Sequence, residues 1–325
     1  MKKNDVQAIL TENSTENLKS AFSACDGKIL NKAYEIRIRQ NLPLCVRTSQ
    51  GEFFISPEGN MLDKPDAGFL PNQNHIKAML DKLTNHSLYA FNSEIKNGYI
   101  TISGGHRIGI SGSVTLEDDR IKTIKHIGGL TIRISREIKG AADAALPHIL
   151  CDNLHNTMFI SPPACGKTTI LRDTIRQLSL GGYNKAAVDE RSEIGGCYMG
   201  IAQNDLGPRT DILEGTPKAA GMMLALRSLS PKIIAVDEIG NNKDVQAINE
   251  MAHAGIAVLC TLHGHDIEDL RRRKMLTTLI NNKIIRRYIF LSDNPKPGTI
   301  TGVYNENLLP LPPYDHSGDI SPMHS

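Results

Sequence analysis

The stretch "FISPPACGKTTILRD" (residues 159–173) joins a lysine and a hydroxyl to a glycine, Gly166-Lys167-Thr168, at the head of a helical pattern that follows an apolar run. That arrangement suits a polyphosphate: backbone N–H groups and the helix N-terminus face the anion, the lysine reaches its outer phosphates, and the hydroxyl ligates Mg²⁺. Backbone groups of Ala164, Cys165, Gly166, Lys167, Thr168 and Thr169 would form the cradle. The usual spacing is Gly-x-x-x-x-Gly-Lys-Ser/Thr, and here Ser161 replaces the first glycine and Ala164 a second frequent one. A left-handed Ala164 would cost about 1–2 kcal/mol. Pro162 and Pro163 cut the freedom of the unbound chain and offset part of that.

A strand ending in two acids follows further along, "KIIAVDEIG" (232–240). Asp237 would support the Mg²⁺ shell, and Glu238 would orient and polarise an attacking water. Either element alone has a bland reading, a chance strand–turn–helix or a buried strand with an acidic end. Both in order on alternating strand–helix units read as a P-loop NTPase core. Two more strands end in polar residues: "AAVDERSEIGG" (186–196), with Asp189, Glu190 and Glu193, and "AVLCTLHGHD" (257–266), with Thr261 and His263. In a parallel α/β sheet ligands lie outside the carboxyl ends of strands, so all four ends face one crevice. His263 then reads as a γ-phosphate sensor and His265 as solvated loop.

These residues need a framework, and the chain supplies two textures. Residues 31–56 read as short strands ("YEIRIRQ", "PLCVRTS", "EFFIS"), 75–91 as a helix, and "GYITISGGHRIGISGSVTL" and "GLTIRISREI" as β-rich runs. The first part is thus an α+β unit, expected to be antiparallel, over 1–138. From Gly140 short apolar runs alternate with helical patterns at 167–180, 216–229, 243–254 and 267–281. This predicts a mostly parallel sheet covered by helices on both faces over 139–308. The Pro-, Asp-, His- and Ser-containing tail, 309–325, is expected to be poorly ordered.

Composition bounds the rest. The formal net charge of the 325 residues is only +2, so the chain as a whole has no strong pull toward nucleic acid or anionic lipid. Six cysteines without a C-x-x-C pair argue against a zinc site or disulfide framework and fit a reducing compartment. The start lacks the apolar run of a signal peptide, and no window reads as a membrane span. The expectation is a cytoplasmic protein whose membrane association would be peripheral.

An acidic box, then "ALRSLSPKIIAVDEI", then a strand ending "TLH" resembles the traffic ATPases of type II and type IV secretion. The likeness is closer still to the stage III sporulation protein AA family of endospore-forming bacteria, carried by "VDERSEIGG", "RTDILEGTPKAAGMMLALRSLSP", "VDEIG", "YEIRIR" and "GGHRIGISG". The resemblance implies a RecA-like P-loop core behind a smaller α+β domain, with ATP and Mg²⁺ as cofactors and a hexameric ring as assembly. It also implies membrane-embedded channel proteins as partners, on the mother-cell side of a mother cell–forespore channel. Residues 161–168, the acidic box with Glu190, Glu238 and the Thr261-Leu262-His263 run are the positions it matches. Where this chain has Asp237 the traffic ATPases often carry glycine, which moves Mg²⁺ handling toward the generic P-loop pattern.

Charge on a transferred phosphoryl group calls for further cations. Arg209, in a Gly/Pro loop, is a candidate to reach a neighbouring subunit's site. Arg133 matches the place where traffic ATPases use arginine to bridge domain and nucleotide. Each is equally readable as a solvated surface arginine, and Arg227 as the partner of an acid. "RRRK" (271–274) reads as the solvated face of an amphipathic helix. With no zinc-finger spacing, RNP motif or interleaved aromatics, no nucleic-acid partner is expected. The reading is a secretion-type motor ATPase. A nucleic-acid translocase on the same core and a nucleotide-binding assembly scaffold stand as alternatives.

Overall fold

The computed structural model describes residues 5–87, 91–96 and 98–312. Two compact units divide the chain, one of Met1–Arg136 with Gly196–Met199, the other of Glu137–Gly195 with Gly200–Ser325.

The first unit opens with three short helices that the sequence reading did not assign: α1 (Val6–Asn13), α2 (Glu16–Ala24) and α3 (Gly27–Leu30). Asp5 and Asp26 cap α1 and α3 by accepting N–H groups of the first turn. Strands β1 (Glu35–Arg39), β2 (Cys45–Thr48), β3 (Gly51–Ile55) and β4 (Met61–Leu62) precede α4 (Gln73–Leu83) and α5 (Asn92–Lys96). Then come β5 (Tyr99–Thr101), β6 (Arg107–Glu117) and β7 (Arg120–Arg133). The sheet order is β4-β3-β2-β1-β7-β6-β5, every pairing antiparallel. Helix α4 starts in a capping box between Asn72 and His75 and turns Ile76, Met79, Leu80 and Leu83 into the core. It stops at Leu83 rather than running to 91, because Asn85 and His86 are left-handed; residues 88–90 of the expected helix lie outside the described residues.

The second unit runs α6 (Leu146–Leu150), β8 (Thr157–Ser161), α7 (Lys167–Leu180), β9 (Lys185–Asp189), β10 (Thr210–Glu214), α8 (Lys218–Ser228), β11 (Ile233–Val236) and α9 (Asn242–His253). It continues with β12 (Ala257–His263), α10 (Ile267–Arg272), α11 (Thr277–Asn281), β13 (Arg287–Ser292) and β14 (Thr299–Tyr304). The order is β10-β9-β11-β12-β8-β13-β14, parallel except for the β13–β14 hairpin. Strands β8, β9 and β11 are buried along their whole length, which is why they read as continuous apolar runs. Odd-numbered strand residues such as Phe159, Ala187, Ala235 and Leu259 pack in the cluster of α6 and α7. Even-numbered ones such as Ile160, Val188, Ile234 and Val258 pack with α8 and α9.

The expected helix 267–281 is three pieces. Arg273, at φ −80° and ψ 99°, breaks it between α10 and a 3₁₀ turn at Lys274–Leu276. The "RRRK" run is therefore not one helix face: Arg271 pairs with Glu268 and Arg273 with Asp269. Arg227 donates to the Met223 carbonyl, its own turn, and not to an acid. The tail beyond 312 lies outside the described residues. No helix among the described residues is long and apolar enough to cross a membrane.

Candidate active site

Parity positions the site. Ser161, Asp189, Asp237, Thr261 and His263 are all odd-numbered; Ser161, Asp189 and His263 end β8, β9 and β12, Asp237 stands one residue past β11, and Thr261 lies two residues inside the end of β12. The register His263↔Ser161 brings the ends of β12 and β8 level, and Val236↔Cys260 sets the residues after β11 beside Thr261 and the last residues of β12. The five therefore converge on the face that α7 covers, at the end where α7 begins.

The loop into α7 has the shape its residues left in question. Ala164 is left-handed at φ 62° and Gly166 at φ 86°. Gly166 is the N-cap and no side chain caps the helix, so the first turn's N–H groups are left for a ligand. A Cβ on Gly166 would lie 3.0 Å from the Gly298 nitrogen, which itself donates to the Cys165 carbonyl at 3.0 Å. The β13–β14 turn thus buttresses the loop from outside, a support that no motif in the sequence signals.

Lys167, only 6% exposed, folds back onto that loop. Its Nζ donates to the Ser161 carbonyl at 3.0 Å, the Ser161 hydroxyl at 3.2 Å, the Pro162 carbonyl at 2.9 Å and His263 Nδ1 at 3.1 Å. Burial pushes this ammonium below the ordinary lysine range, with Asp237 and Glu238 holding it back. An ammonium only donates, so His263 Nδ1 is the acceptor and Nε2–H donates to the Glu238 carboxylate. The other Glu238 oxygen accepts from Arg191 at 2.7 Å. Burial raises the Glu238 carboxyl, but the His263 hydrogen bond and then the Arg191 and Lys218 charges outweigh it, and the group sits below its usual value. Thr168 Oγ1 donates to Asp237 Oδ2 at 2.6 Å.

A cradle of uncapped N–H groups, a buried ammonium satisfied only by neutral acceptors, and a hydroxyl–carboxylate pair of hard oxygens fit a polyphosphate with Mg²⁺. Lys167 and the loop amides would hold the phosphates, and Thr168 with Asp237 would hold the cation.

The acidic box divides by role. Asp189 is buried and accepts the N–H groups of Glu193 at 2.8 Å and Gly195 at 2.7 Å, so it shapes the loop; burial raises its carboxyl against those bonds. Glu190 pairs with Lys218 at the start of α8. Thr169 lies beside Arg172 and Arg176 at a small polar cleft. Cys165 is buried, its thiol toward the Pro163 carbonyl. His265 is exposed in the loop after β12.

One predicted arginine, Arg209, is not brought to this cluster. Arg209 precedes β10 at the opposite, amino-terminal end of the sheet, where its backbone N–H meets Ser179 Oγ at 2.7 Å. Arg133 belongs to the first unit, 71% exposed and 3.7 Å from Glu35. Conversely, Arg191 and Lys218 carry no role in the sequence reading. The signal was available for Arg191, a cation directly after two acids at a strand end that faces the crevice.

A model of the family described as "Sporulation stage III, protein AA" matches residues 2–309. Stage III sporulation protein AA of Bacillus subtilis (strain 168) is 38% identical over 297 residues, 90% of this chain and 93% of that protein. Among solved structures, the pilus retraction motor PilT with bound ADP is 16% identical with a TM-score of 0.55, over 81% of this chain and 75% of that one. The ATPase DotB of Legionella pneumophila is 17% identical with a TM-score of 0.51, over 80% and 72%. At such identities the structural likeness speaks for the fold, a RecA-like core preceded by an antiparallel-sheet domain. With the family model spanning nearly its whole length, the chain belongs to the sporulation stage III, protein AA family.

Proposed function

We propose that the protein is a Mg-ATP-dependent motor ATPase of the secretion type that works as a ring and energises a channel complex during sporulation. What carries the reading is one observation: Lys167, Thr168, Asp237, Glu238 and His263 form a single hydrogen-bonded cluster at the helix N-terminus, its two halves joined by the Glu238 N–H donating to Asp237 Oδ1 at 3.1 Å. Phosphate oxygens would replace the neutral acceptors now on Lys167, a stronger charge-assisted set. Bound Mg²⁺ would supply Lewis-acid polarisation of the phosphates. Glu238 would orient a water whose oxygen bonds the γ-phosphorus while the bond to the β–γ bridging oxygen breaks. ADP leaves with that electron pair, one water proton passes toward Glu238, and the other stays with the phosphate.

The family resemblance and the secretion-ATPase fold support a homo-oligomer, a ring of six being the expectation, with membrane-embedded channel proteins as partners on the mother-cell side. Arg209, at the far end of the sheet from this cluster, is the candidate to complete a neighbour's site, and Arg133 of the first unit is the candidate to bridge domain and nucleotide. An arginine in trans is worth about 10³-fold or more in rate, so the isolated subunit should be slow.

The test is hydrolysis against protein concentration for wild type and Glu238→Gln, with nucleotide binding measured on both. The expected result is a slow rate that rises as rings form and a Glu238→Gln variant that binds nucleotide without turning it over. A variant as active as wild type would overturn the reading. Steep stimulation by single-stranded nucleic acid at low salt would redirect it to a translocase.

A further inference from the structure

Thr261 is wholly buried in β12 between Cys260 and Leu262, an apolar setting where a hydroxyl must find partners. It has two, and both belong to the acidic pair that directly follows the adjacent strand β11. Its O–H donates to Asp237 Oδ1, and its oxygen accepts the Glu238 N–H at 2.8 Å. The Thr261 carbonyl also accepts the Ile239 N–H at 2.9 Å. One residue thus grips three consecutive positions of the segment that follows β11.

That grip has a reason. Glu238 is left-handed at φ 52°, a conformation that costs a non-glycine residue about 1–2 kcal/mol and persists only where its surroundings hold it. Left-handed backbone turns the Glu238 side chain out of the strand's line, to where His263 and Arg191 take its two oxygens. Meanwhile Asp237 is divided: Oδ1 takes the Thr261 O–H and, at 3.1 Å, a share of the Glu238 N–H, and Oδ2 takes Thr168 at 2.6 Å. A hydroxyl that fixes one carboxylate oxygen leaves the second aimed at Thr168 alone.

We propose that Thr261 is a positioning residue for the hydrolysis reaction, setting the direction of the Asp237 carboxylate and the backbone turn that presents Glu238. The proposal rests on the ATPase reading above. Valine has nearly the shape of threonine without the hydroxyl, and serine keeps the hydroxyl without the methyl, so the two variants separate bonding from packing.

The experiment uses the full chain as wild type, Thr261→Val and Thr261→Ser. It measures kcat and KM for Mg-ATP, and hydrogen exchange of the Glu238 amide in nucleotide-free protein. A misplacement of about 1 Å at a reacting group is worth about 10²-fold in rate. Thr261→Val should therefore lose kcat on that scale with KM within about twofold, and its Glu238 amide should exchange faster. Thr261→Ser should recover most of the rate and the amide protection. A valine variant with wild-type kcat, a serine variant as damaged as valine, or a loss carried by KM would each overturn the role. Should Thr261→Val not fold, Thr261→Ala against Thr261→Ser makes the same comparison. Wild-type protein that splits no ATP would sink the ATPase reading, and amide exchange then decides Thr261: unchanged protection without the hydroxyl overturns it.

Discussion

Lys167 and Lys185 are buried at opposite ends of the same sheet, 6% and 1% exposed. Burial lowers both ammonium groups, yet their surroundings differ in kind. Lys167, at the carboxyl ends of the strands, has four acceptors and two nearby acids, Asp237 and Glu238, that favour its charge. Lys185 opens β9 at the amino end, where its Nζ donates to the Tyr183 carbonyl at 2.8 Å and Arg209 adds repulsion, bringing it to about 8. The first lysine sits among exchangeable neutral acceptors that an anion can replace. The second has no such exchange open to it, and its burial weighs on stability.

The sharpest way to break that contrast is to remove each charge. Lys167→Ala should reduce hydrolysis by about 10³-fold or more, since a cation on the transferred phosphoryl group is worth that much, while thermal melting changes little. Lys185→Met should leave hydrolysis alone and stabilise the fold. Equal loss of rate in both variants would show that the amino end is part of the chemistry.

The size of the second effect follows from linkage. Unfolded, Lys185 titrates near the ordinary 10.5; folded, at about 8. Below pH 8 both states are protonated and the folded state bears the full burden of the buried ammonium, about 3 kcal/mol at most. Between about pH 8 and 10.5 the folded lysine is neutral while the unfolded one still binds its proton, so wild-type stability rises with pH. The advantage of Lys185→Met in denaturant melts should therefore be largest at neutral pH and shrink across that window. A constant advantage would mean packing, not charge.

The carboxyl end was legible because its chemistry lies in short local patterns: Gly166-Lys167-Thr168, Asp237-Glu238 and His263 each end an apolar strand or open a helix. Strand parity then does the rest. What escaped had weaker local signals. Strand β10 is an edge strand of mixed exposure after a Gly-Pro loop, so "TDILE" lacks the buried run that marks β9 and β11. Helices α1 to α3 are too short for a helical period to stand out. The break at Arg273 uses neither glycine nor proline. Thr261 was readable only as part of "TLH", because its role depends on a register with β11 that no single strand reveals.

A smaller perturbation tests why the carboxyl end tolerates its charges. Arg191 is one of the cations that keep the Glu238 carboxyl below its usual value. Wild-type hydrolysis should hold as pH falls to the ordinary glutamate range, since the base stays ionised there. Arg191→Ala removes one stabilising charge, so Glu238 protonates at higher pH and the acid limb of the rate profile moves up. The pair is partly exposed, so the shift should be modest and shrink in salt. An acid limb that stays in place would mean that His263 and Lys218 govern Glu238 without Arg191.

Ala164→Gly is the mildest change and bears on the backbone of the same end. Relief of a left-handed alanine returns about 1–2 kcal/mol. Glycine also frees the unfolded chain, which takes back about 0.4–1 kcal/mol. Ala164 is exposed, so little packing is lost. The net should be a stabilisation between nil and about 1.6 kcal/mol, with ADP affinity equal or slightly tighter, read by melting and by titration. Gly166→Ala should do the reverse, because its Cβ would press within 3.0 Å of the Gly298 nitrogen as well as straining φ 86°. If Ala164→Gly instead weakens both fold and binding, flexibility at that position harms the cradle. The two missing glycines would then be an adaptation of a loop stiffened by Pro162, Pro163 and the Gly298 contact, rather than a handicap that the loop survives.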